Sequence, residues 1–171
     1  TGTPRSQMKQ FEAELLKEDW THVRPEVEVR KVAIPPGEET YILCRTAGRK
    51  EKEKAIRNRF SSSMETALKG LEKTIAAGRL KDRNKMERRL GKIQARHPQV
   101  NDLYDLALRD TAEGVRLFWE IKEDRKNWRE SREGAYLLRT NLKAETAEEL
   151  WSKYMQLTEA EASFRALKSE L

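Results

Sequence analysis

Tyr154, Glu161 and Lys168 stand at i, i+7 and i+14 in the last stretch of a 171-residue chain. On a helix they fall close to one line, with steps of about 10 Å at 1.5 Å per residue. A carboxylate flanked along one line by a phenol and an ammonium resembles a track for a phosphodiester. Glu161 is the sharpest of the three. Stepping by fours and threes gives Leu150, Tyr154, Leu157, Glu161, Phe164, Lys168 and Leu171, of which five suit a core face. An ionised carboxylate in mid-stripe costs several kcal/mol unless something compensates it. A cation or a metal would meet that need. So would a structural ion pair with a neighbouring Lys or Arg, or a position at the stripe's edge from which the carboxylate reaches water.

The element that must carry these residues is a helix. Thr146 followed by Glu149 is a capping-box signature, and neither Gly nor Pro interrupts the run from Thr146 to Leu171, so the expectation is about seven helical turns.

Tyr154-x2-Leu157-x3-Glu161-x6-Lys168, read with Leu150-Trp151 before it and Phe164-Arg165-Ala166-Leu167-Lys168 after it, resembles the Tyr-x2-Arg-x3-Glu-x6-Lys signature of bacterial insertion-sequence DDE transposases. Gly134-Ala135-Tyr136-Leu137-Leu138-Arg139-Thr140-Asn141 is similar to the strand that precedes this helix in the family. Gly2-Thr3-Pro4 and Tyr41-Ile42-Leu43-Cys44-Arg45 also resemble family segments, so the likeness spans nearly the whole chain. One position departs: the family's Arg is Leu157 here, which leaves any DNA contact through that Arg without a counterpart.

The resemblance implies a ribonuclease-H-like α/β domain (α+β in this portion) with a basic helical insertion and a long C-terminal helix. It implies Glu161 as catalytic residue and ligand of a divalent metal, Mg²⁺ or Mn²⁺, for in-line attack on a DNA phosphodiester. Tyr154, Arg165 and Lys168 would contact DNA. The implied setting is a homodimer on DNA in a bacterial cytoplasm, associated with the nucleoid. Two Asp would complete the acidic set. Asp19, Asp82, Asp102, Asp105, Asp110 and Asp124 fall in stretches that read as loops or charged runs and match neither. The chain starts Thr1-Gly2-Thr3-Pro4 and stops inside its last helix, so the expectation is a C-terminal portion, inactive alone, whose two Asp lie upstream.

Composition fits that picture. With 37% apolar residues the chain is able to bury one modest core, or a small core plus a projecting helical element. One Cys, Cys44, and two His, His22 and His97, exclude a disulfide framework and a zinc set and suit a reducing compartment. No run of 18 apolar residues is present to span a membrane. Hydride, acyl and nucleoside-triphosphate chemistries lack their motifs, with no Gly-rich phosphate loop, nucleophile elbow or His pair.

Charge is concentrated. Between Gly48 and His97 sixteen Lys and Arg face six Asp and Glu, a net of +10 in a chain of net +6. That block reads as a nucleic-acid footprint, with Arg83, Lys85, Arg88 and Arg89 at its densest point, or as a solvated pair of helices with a basic outer face. Its thin apolar seam, Ile56, Phe60, Met64, Ala67, Leu71 and Ile75, then Leu80, Met86, Leu90 and Ile93, predicts an antiparallel helical hairpin.

Four segments follow. Residues 1–47 hold an amphipathic helix (Met8, Phe11, Leu15, with Leu16 at its margin), ended by Asp19-Trp20-Thr21, and then a strand from Val23 to Ile34 paired through Pro35-Pro36-Gly37 with Tyr41–Cys44. Trp20 reads as core rather than a platform for bases. Residues 48–97 form the basic hairpin. Residues 98–145 hold a second strand pair, from Val115–Ile121 and Gly134–Leu138, with Lys122–Glu133 as a charged linker whose Trp128 caps the sheet. Residues 146–171 are the Glu helix. The competing readings are a non-catalytic DNA-binding or adaptor module, and a helical interaction protein that dimerises through the Leu150–Leu171 stripe.

Overall fold

The structure, a computed structural model, describes residues 1–33 and 39–169. In chain order a 3₁₀ segment (Arg5–Phe11) runs into α1 (Glu12–Leu15), followed by β1 (Thr21–Arg24), β2 (Val27–Ala33) and β3 (Thr40–Thr46). Then come α2 (Ala47–Ala76), α3 (Arg83–Arg96), β4 (Tyr104–Thr111), β5 (Gly114–Ile121), α4 (Glu123–Arg132), β6 (Ala135–Thr140) and α5 (Ala147–Ser169). The chain is mixed α and β with antiparallel sheets, in two compact units: residues 1–51 with 131–171, and residues 52–130.

The first unit is a four-stranded sheet in the order β1-β2-β3-β6, every pair antiparallel. Alternation along the strands sorts its two faces. Leu43, Ala135 and Leu137 point to one side, where Met8, Phe11, Leu15 and Trp20 cover them. Ile42, Cys44 and Leu138 point to the other, against Leu150 and Trp151 of α5. Burial on both faces is why β3 and β6 read as unbroken apolar runs. Arg30, with its side chain 10% exposed, sits between Glu14 at 2.9 Å and Asp19 at 2.6 Å and ties the N-terminal segment to β2. Gly134 opens β6 with φ +81°, and a Cβ there would lie 2.7 Å from the Thr46 carbonyl oxygen. Only a residue without a side chain fits that approach.

Several expectations change here. The run from Val23 to Ile34 is two strands, because Pro25 and Glu26 turn the chain between β1 and β2. The Val115–Ile121 and Gly134–Leu138 strands are not partners of each other: β5 pairs with β4, which the charged sequence concealed, and β6 pairs with β3. Leu16 is 72% exposed and outside the core. Ile34 and the Pro35-Pro36-Gly37 turn lie outside the described residues, as does Leu171. Trp20 is core, with the Arg45 guanidinium 4.2 Å from its ring centroid.

The second unit sets the β4–β5 ribbon on α2 and α3 around Met64, Leu68, Leu71, Ile75, Met86 and Leu90. The α2–α3 hairpin is present, and α2 runs straight through Ser61-Ser62-Ser63. Gly78, at φ +66°, ends α2, and Asp82 caps α3 by accepting from the Lys85 backbone N–H at 2.9 Å. His97 Nδ1 donates to the Ile93 carbonyl at 2.8 Å, which leaves Nε2 to accept from Ser63 Oγ at 3.1 Å. That bond ties the end of α3 to the middle of α2, so the helices run antiparallel. Ile56, expected in the seam, is 45% exposed. The expected linker Lys122–Glu133 holds α4, whose Glu123 and Asp124 suit the positive end of a helix dipole.

Candidate nucleic-acid interface

The helix bearing Glu161 begins as the sequence indicates. Thr146 N–H donates to Glu149 Oε2 at 2.8 Å, and Glu149 N–H donates to Thr146 Oγ1 at 3.2 Å. The backbone N–H of Thr146 holds the Glu149 carboxyl below the ordinary carboxylate range. Leu150 and Trp151 then seal the sheet, and Trp151 Nε1 donates to Tyr136 OH at 2.9 Å. Tyr154 and Met155 pack partly against the same face. Tyr154 OH would lie 3.5 Å from a Cβ placed on Gly2.

From Gln156 to Ser169 the helix is exposed on every side. Leu157, Phe164 and Leu167 are 65%, 67% and 60% exposed. The stripe expected to be core is therefore core only at Leu150 and, in part, at Tyr154, and the mid-stripe misfit at Glu161 disappears because the carboxylate is in water. Glu161 forms no ion pair or side-chain hydrogen bond among the described residues, and Arg165 and Lys168 stand exposed on the same helix. No group of three His, Cys, Asp or Glu side chains among the described residues converges to hold a metal ion.

Of the Asp residues expected in loops or charged runs, Asp19 and Asp82 lie outside helices and strands and Asp102 lies in a 3₁₀ turn. Asp105 and Asp110 lie on β4 and Asp124 opens α4. Asp19, Asp102 and Asp110 pair with Arg30, Arg129 and Arg83, each at 2.6 Å.

The basic residues of α3 divide by environment. Arg83 is engaged: it donates to Asp110 at 2.6 Å, to Glu87 at 3.2 Å and to the Leu108 carbonyl at 3.3 Å. The Asp110 carboxylate, first, raises its already high pKa. Arg88 folds back onto the Asn84 carbonyl at 3.3 Å. Lys85 and Arg89 are exposed and form no side-chain ion pair among the described residues. Arg89 lines a groove between α2 and α3 together with Lys92 and Arg96, two cations outside the densest basic cluster of the sequence. Their 89/92/96 spacing, one helical face, is the signal that would have selected them.

No helix among the described residues is long and apolar enough to cross a membrane. Compared with protein-family models, curated proteins and solved structures, the chain finds no match.

Proposed function

We propose that this chain is part of the catalytic domain of a DDE transposase, contributing a ribonuclease-H-like sheet segment, a basic helical insertion that meets DNA, and the helix with the third acid, Glu161. The observation that carries the reading is on α5. Leu157, Phe164 and Leu167 have the spacing of a packed face yet are uncovered by the described residues, and exposed apolar surface of that extent marks a place where another piece packs. Glu161 shares that length of helix. The Tyr-x2-Leu-x3-Glu-x6-Lys pattern and the basic hairpin support the same conclusion.

The residues described here do not by themselves fit a divalent ion, since a lone carboxylate supplies too few oxygens. No step of cleavage is therefore assigned to a metal. Within this chain Glu161 would present a carboxylate at the scissile region, while Arg165 and Lys168 would neutralise phosphates and Tyr154 would orient the strand. The test is to restore the upstream half and assay divalent-dependent strand cleavage of duplex DNA. Glu161→Gln should abolish cleavage and leave DNA affinity within about twofold, because it removes no phosphate-contacting cation. A restored chain that cleaves normally with Glu161→Gln would refute the assignment.

The same uncovered face also favours a helical interaction module without catalysis. That reading requires Phe164→Glu to abolish self-association in sedimentation, with cleavage absent from the restored chain.

A further inference from the structure

The groove between α2 and α3 has a volume of about 270 Å³. Ala67, Gly70 and Leu71 face it from α2, and Arg89, Lys92 and Arg96 from α3. Both sets follow the three-and-four spacing of a single helical face, so each helix turns one coherent row toward the other. The rows differ in chemistry: α2 presents small, apolar or hydroxyl side chains, Thr74 included, while α3 presents three long cations around Ile93.

We propose that this groove seats the phosphodiester backbone of one strand of a DNA duplex, with Arg89, Lys92 and Arg96 as the phosphate-contacting side chains. The inference rests on the DNA-binding part of the function proposed above and narrows it to one surface.

Electrostatics supports it first. Arg89, Lys92 and Arg96 lie within two helical turns and form no ion pair among the described residues. The nearby carboxylates are directed elsewhere. Glu65 accepts from Tyr104 OH at 2.9 Å and Glu72 from Trp119 Nε1 at 3.4 Å, both toward the ribbon, while Glu87 accepts from Arg83 at 3.2 Å. Three like charges on one face repel unless a polyanion relieves them.

Shape supports it independently. A Cβ on Gly70 would meet nothing within 4 Å, so packing within the chain does not demand glycine there. Glycine in a helix interior is destabilising relative to alanine, a cost with a reason if a ligand backbone must approach that wall. The Thr74 hydroxyl beside it donates back to the Gly70 carbonyl at 2.8 Å and adds no obstacle. Arg89 and Arg96 are seven residues apart, about 10 Å along the helix. That span exceeds the roughly 3.4 Å of duplex axis per phosphate of one strand, so the row reaches more than one phosphate. Cations confined to one wall suit one strand, and Arg and Lys aimed at phosphates carry no base readout.

The experiment measures binding of the full chain to a fluorescent 20-base-pair duplex at roughly 50 and 200 mM salt, the range over which phosphate contacts are felt. Combined Arg89→Gln, Lys92→Gln and Arg96→Gln should weaken binding at least tenfold at the lower salt. The log–log salt slope should fall by about 2 to 3, near 0.9 per lost contact. Gly70→Phe, which changes no charge, should reproduce the affinity loss by blocking the groove. Gly70→Ala should weaken binding in the same direction but by less than Gly70→Phe, and Arg83→Gln, whose guanidinium is already engaged, should leave the slope unchanged. Circular dichroism of each variant checks that the helices persist. A wild-type chain that binds DNA while the triple variant or a folded Gly70→Phe binds equally well overturns the groove but not the DNA reading. No wild-type binding at the lower salt overturns both. Displacement of duplex by a single strand of equal length at lower concentration overturns the duplex assignment.

Discussion

Burial sets the chemistry of Cys44. Its side chain is wholly enclosed between β3 and the α5 face, and burial pushes the thiol up to about 12. The neighbouring Tyr136 phenol is pushed up to about 12 as well, first by burial and then by the Cys44 side chain. The thiolate is the reactive form, so native protein at pH 8 should react with a disulfide reagent only as the sheet opens. Adding urea should expose one fast-reacting thiol. The same raised value has a pH consequence. The unfolded thiol ionises near 9.0, its ordinary value, and the folded one near 12. The unfolded state therefore loses its proton first, and stability falls between those limits. The stability advantage of wild type over Cys44→Ala should shrink as pH rises above 9, measured by urea denaturation. Rapid labelling at pH 8 without urea would contradict the packing of this face.

Among the elements, α5 combines what local sequence predicts well with what it predicts badly. Its start depends on Thr146 and Glu149, which exchange side-chain and backbone hydrogen bonds. Thr146→Ala should cost about 0.5–2 kcal/mol at neutral pH. The Glu149 carboxyl is depressed by the Thr146 N–H, then by the Thr146 hydroxyl. Its contribution is thus present above the unfolded carboxyl value and lost as pH falls through the lower folded one. The gap between wild type and Glu149→Ala should narrow in acid, which denaturant titrations at pH 7 and pH 3 would reveal. The capping box was legible because it is a contact across three residues. The fate of the stripe was not, because periodicity states which residues share a face and not how far a neighbour reaches. Twenty-three helical residues extend about 35 Å, whereas four strands span about 15–20 Å, so α5 outruns the sheet past Met155. Two other elements were hidden by charge. In β4, Asp105, Arg109 and Asp110 occupy exposed positions and break the apolar alternation. In α4 no residue is buried, so nothing marks it as a packed helix. The hairpin was visible in its seam, but Leu68, fully buried, was absent from the expected stripe. The pairing of β3 with β6 joins residues 90 to 100 positions apart and has no local signal.

At the scale of the molecule, the cores belong to separate units. The cluster around Met64, Leu68 and Leu103 draws only on residues 52–130, while the two clusters on the faces of the β1-β2-β3-β6 sheet draw only on the rest. Among the described residues no buried apolar side chain belongs to clusters of both units. Leu68 and Leu43 are both fully buried, one in each unit. Replacing either by Ala should cost about 2–5 kcal/mol, since the void is lined by atoms that lose their partners. The location of the loss separates the two substitutions. In hydrogen exchange, Leu68→Ala should raise amide exchange across α3, β4 and β5 and leave β3 and β6 protected, because local opening follows cooperative units. Leu43→Ala should do the reverse. If either substitution raised exchange equally in both units, the chain would be opening as one cooperative body, and the separate cores would not correspond to separate stabilities.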